Sequence, residues 1–113
     1  IGAGGTITGR YMLLGKTCFF EANITLGVGG AFTGVVSLGL PFTSAARRQA
    51  ASAWCNDVSA GTHWEGVMGI TASSATAGVM AGGAGALVAN LVPFGVAWAN
   101  TDQLTVSGCY QTA

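Results

Sequence analysis

Charged side chains are scarce in this 113-residue chain. Asp, Glu, Lys and Arg make up 7% of it, four cations against four anions, where an average soluble domain carries ~25%. A phosphate backbone is gripped through clustered Lys and Arg, so a nucleic-acid partner is not expected. Docking on an anionic membrane surface needs the same clusters and is set aside with it. Histidine occurs once, at His63, and cysteine three times, at Cys18, Cys55 and Cys109, with no two at a metal-ligand spacing such as C-x-x-C. The odd set leaves one intramolecular disulfide open, since pairing cannot be read from spacing alone, and a free buried Cys commonly serves as a small hydrophobe. Asp57, His63 and Glu65 lie close together across the Gly61-Thr62 turn. They lack any H-x-x-x-H or H-E-x-x-H pattern and read as polar tips of a loop, so no metal and no other cofactor is expected.

Catalytic signatures are missing too. There is no G-x-S-x-G elbow, and none of the glycine clusters is followed by the Lys-Ser/Thr of a phosphate loop. Glu21, Asp57, Glu65 and Asp102 are the four carboxylates, and nothing places two of them in the shared cleft that glycoside hydrolysis requires. The expectation is a protein that is not an enzyme. The basic start, apolar middle and A-x-A end of a secretory leader are absent. With Ile at position 1, the chain reads as a fragment or processed product of a longer protein.

Hydrophobic residues, at 50%, and 19 glycines fill the space that charge leaves. One domain is expected at this length, residues 6–113, with 1–5 as a flexible Gly-rich lead-in. Period-two alternation is clearest over 17–26, where Cys18, Phe20, Ala22, Ile24 and Leu26 share one face and Thr17, Phe19, Glu21, Asn23 and Thr25 the other. A second such run has Leu104, Val106, Gly108 and Tyr110 against Gln103, Thr105, Ser107, Cys109 and Gln111. Both are half-buried strands. Ile7, Tyr11 and Leu13 share a face before the Gly15-Lys16 turn, and Trp64, Met68 and Ile70 share another. Pro41 and Pro93 mark strand ends or edges. Short strands with turn signals every ~8–12 residues predict an all-β sandwich or barrel. Phe19, apolar on an otherwise polar strand face, is the natural oligomer-interface residue. Aromatic and amide groups are how neutral ligands such as sugars are held, which makes Asn56, His63 and Trp64 the candidate ligand-binding residues. The sequon Asn23-Ile-Thr25 sits mid-strand, and Arg47-Arg48 reads as a solvated edge.

Two stretches resist this reading. Residues 44–54 have an N-cap at Ser44 and good helix formers behind it, while their neighbours favour strand. Residues 66–101 carry no charge. Within them, 77–98 is long enough to raise a membrane span, but it is mostly Gly, Ala and Ser and is broken by Asn90 and Pro93, so no insertion is expected.

The order of motifs along the chain is informative. Gly9-Arg-Tyr11 leads into Gly15-Lys-Thr-Cys-Phe-Phe20, Leu38-Gly-Leu-Pro-Phe42 follows a Gly-rich loop, and the chain closes on Asp102-Gln-Leu-Thr-Val-Ser-Gly-Cys-Tyr110. In this it resembles the C-terminal β-rich modules of bacteriophage tail-fibre and minor tail proteins. The resemblance implies a small antiparallel, jelly-roll-like β-sandwich, trimeric at a fibre tip on the virion and extracellular, which binds host-surface polysaccharide or protein and has no catalytic residues. Low charge suits both a neutral glycan and an apolar subunit interface. The rivals are a purely structural module that caps or trimerises a fibre, and a membrane-associated subunit using 77–98.

Overall fold

The computed structural model describes residues 1–32, 36–81 and 98–113. Seven strands run in chain order: β1 (Thr6–Leu14), β2 (Thr17–Thr25), β3 (Ser37–Gly39), β4 (Gln49–Asp57), β5 (Thr62–Ile70), β6 (Thr76–Ala81) and β7 (Gln103–Gln111). All pairings are antiparallel and join the strands in the order β1-β2-β7-β4-β5-β6-β3. The fold is all-β, and no helix occurs among the described residues. Where a sandwich of two packed sheets was expected, the strands form one sheet curled into a half-barrel, whose inner face wraps round a single core.

The alternation explains that core. Cys18 and Ile24 of β2, Leu104, Val106 and Tyr110 of β7, Ala53 and Cys55 of β4, and Met68 and Ile70 of β5 are all buried, each at the parity that faces inward. The register aligns Ile24, Leu104 and Cys55 in one row and Ala22, Val106 and Ala53 in the next. The last strand is thus inserted between β2 and β4, near the middle of the sheet. Gly108 is required there. It lies opposite Phe20 at φ +152°, and a Cβ would come within 2.9 Å of the Ala51 side chain.

The 44–54 stretch is resolved by tertiary pairing. Gln49–Asp57 is strand β4, hydrogen-bonded to β5 and β7 on its two sides. Ser44 caps no helix. It is buried, and its Oγ donates to the Thr71 carbonyl at 2.6 Å while accepting from the Ser74 amide at 2.9 Å.

Residues 1–5, expected to be a loose lead-in, are tied down by backbone bonds. The Ala3 and Val28 amides exchange bonds with each other's carbonyls at 3.0 and 2.9 Å, and the Gly27 amide donates to the Ile1 carbonyl at 2.8 Å. Contact this close needs bare backbone. A Cβ on Gly27 would collide with the Ala3 carbonyl, and one on Gly30 with that of Ile1.

Of the stretch 77–98, the start belongs to β6 and residues 82–97 lie outside the described residues, as does Pro93. Among the described residues no helix is long and apolar enough to cross a membrane.

Candidate functional site

Because side chains alternate across a strand, the residues between the core positions come together on the outer face of the sheet. Register places Asn23, Thr105, Trp54 and Glu65 in one row across β2, β7, β4 and β5, and Thr25, Gln103, Asn56 and His63 in the adjacent row. Three steps of ~4.8 Å between strands make each row ~14 Å long. Trp54 and His63, diagonal neighbours, stack with ring centroids 5.1 Å apart and planes 16° from parallel. Trp54 stays partly in solvent and His63 is exposed.

Polar groups flank the stack on the β7 side. Asn23 Nδ2 donates to Thr105 Oγ1 at 2.7 Å, and Thr25 Oγ1 donates to Asn23 Oδ1 at 3.2 Å. Asn56 Nδ2 reaches Gln103 Oε1 at 3.5 Å. Internal bonds of this kind hold the amides in fixed orientations, and each amide keeps further donor and acceptor capacity for a ligand. The Asn23 amide is already engaged with Thr105 on a paired strand, so the sequon at 23–25 lies on the sheet rather than in a loop.

Two of the expected ligand residues, Asn56 and His63, are directly opposite each other. Trp64 is not with them. It pairs with Cys55 and takes the opposite parity, so it is exposed on the other side of the sheet. Trp54 occupies the place expected of Trp64. It sits in the stretch where local propensity favours helix, which hid its parity with Asn56. Phe19, expected at a subunit contact, is exposed on the outer face of β2 beside Met12 and Cys109.

The other polar candidates have local roles. Asp57 accepts from Ser59 Oγ and the Ala60 amide at 2.8 and 3.0 Å, and buried Asp102 accepts from the Ser59 and Ala99 amides at 3.2 and 2.8 Å. Together they pin the 58–61 turn to the 99–102 turn. Glu21 pairs with Arg10 at 3.2 Å, both in solvent, an arrangement worth little to stability. No group of three or more His, Cys, Asp or Glu able to hold a metal occurs among the described residues. Cys18 and Cys55 are free and buried, and Cys109 is free and exposed.

No family model, curated protein or solved structure matches the chain.

Proposed function

We propose that the chain is a non-enzymatic distal module of a bacteriophage tail fibre or similar virion-surface protein. It assembles as a trimer of jelly-roll-like subunits and binds a neutral glycan of the host surface. The observation that carries the reading is the Trp54–His63 stack with Asn56, Gln103 and Thr105 beside it on one outward face. The flat indole suits the C–H face of a sugar ring, and fixed amides and hydroxyls suit its hydroxyl groups, since each both donates and accepts. A net charge of zero disfavours a strongly charged ligand. The motif order of the tail-fibre modules supplies the virion context.

The structural alternative, a module that only caps or trimerises a fibre, draws support from the exposed apolar residues of β1. A glycan array probed with the parent and with Trp54→Ala separates the two. Binding to neutral glycans that Trp54→Ala abolishes supports the receptor reading. No binding, or binding indifferent to Trp54, favours the structural one.

A further inference from the structure

Strand β1 forms one edge of the sheet, bonded to β2 on one side only. All nine of its residues are exposed. Edge strands in stable monomers are usually short, bulged, or protected by charge or Pro. This one is long and carries Ile7, Tyr11 and Leu13 on one face and Met12 and Leu14 on the other. Its single charge, Arg10, is neutralised by Glu21 of its own sheet. Phe19 lies directly across from Met12 and extends the apolar strip onto β2.

These five residues and Phe19 are between 41 and 68% exposed. For side chains of ~200 Å² each that leaves roughly 330 Å² in water on each face, within the about 300–600 Å² of the largest, often functional, apolar patch of a monomer. A partner that docks on the edge reaches both faces, roughly 700 Å² together, near the ~800 Å² per partner of a standard stable interface. Two hollows flank the strand. One of about 400 Å³ opens between Tyr11 and the Leu38–Pro41 stretch onto Met68 and Val106, and one of about 350 Å³ lies beside Met12 and Phe19.

We infer that β1 with Phe19 is the seam at which a second copy of this chain docks. The strip has no net charge, so a partner recognised by charge has nothing to grip. A copy of the same zero-charge chain approaches without repulsion, and the apolar side chains of β1 and Phe19 leave water against it. Interfaces between identical subunits are accordingly the more apolar class. The inference rests on the assembly half of the function proposed above and is independent of the receptor half.

Sedimentation velocity at micromolar concentration tests it. The parent is expected to be an oligomer. Met12→Lys with Leu14→Lys should yield a monomer that keeps the parent β-type circular dichroism, whereas Val58→Lys, at an exposed apolar site away from β1, should remain oligomeric. A monomeric parent, or an oligomer that survives the double substitution, overturns the seam. Should the double variant lose its β spectrum, hydrogen exchange on the parent decides. Slow β1 amides that become fast on dilution to monomer support the seam, and β1 amides indifferent to dilution refute it. A glycan titration of the monomeric variant reports on the Trp54 face separately.

Discussion

The Tyr110 hydroxyl and the Phe42 backbone bond in both directions: the hydroxyl donates to the Phe42 carbonyl at 2.9 Å and accepts from its amide at 3.1 Å. The Phe42 ring in turn meets Tyr11 of β1 edge-on, centroids 5.5 Å apart. A chain of contacts therefore runs from the central strand β7 through the segment after β3 to the opposite edge β1, and it holds the curl of the sheet. Tyr110→Phe should cost about 1–3 kcal/mol, because the Phe42 amide and carbonyl lose their partner. Tyr110→Ala should cost ~3–5 kcal/mol, a large share of the ~5–15 kcal/mol of a whole domain. Urea-unfolding midpoints of the two variants against the parent measure the difference.

Gly27→Ala should detach residues 1–5 without unfolding the sheet. The new Cβ meets Ala3 and Gly5 backbone atoms, which cannot turn aside as a side chain would. Overpacking of this sort costs ~1–3 kcal/mol. Hydrogen exchange should show lost protection at Ala3, Gly27 and Val28, with β4 and β7 protected as before.

Alkaline pH should destabilise the fold. Burial, with the Asp57 and Asp102 carboxylates adding to it, pushes the Cys55 thiol from 9.0 up to about 11. Burial also raises Tyr110. For a group raised in this way the unfolded chain loses its proton first, so stability is fully present below pH 9 and declines as pH rises through about 11. Melting temperatures should be flat on this account up to about pH 9 and fall beyond it, and Cys55→Ala should make the fall shallower relative to its own neutral-pH value.

Much of this fold was legible because β2 and β7 each bury one face, which makes parity readable from sequence alone. The 17–26 alternation became Thr17–Thr25, and Leu104, Val106 and Tyr110 are buried against β2 as their spacing required. Residues 44–54 were ambiguous because Ala, Arg and Gln favour helix locally, while the ladders with β5 and β7 that override them are long-range. The same ambiguity concealed Trp54. Read as a strand continuing to Asp57, that stretch places Trp54 on the face of Asn56, and the stack with His63 follows from the β4–β5 hairpin. Trp64 was misplaced by sequence adjacency, since residues next to each other on a strand point to opposite faces. Of the exposed apolar residues on β1 and β2, only Phe19 stood out from periodicity. That Tyr11 and Leu13 are exposed depends on β1 being an edge, and strand order is not encoded in periodicity.

The Trp54 face is most directly tested by amide and indole NMR during titration with neutral oligosaccharides that an array identifies. If Trp54 is the floor of the site, shifts concentrate on its indole, the His63 ring and the Asn56 and Gln103 side-chain amides, and Trp54→Ala weakens binding by at least tenfold, or about 1.4 kcal/mol. Shifts centred on Trp64 or on the β1 strip, with affinity unchanged in Trp54→Ala, would contradict it.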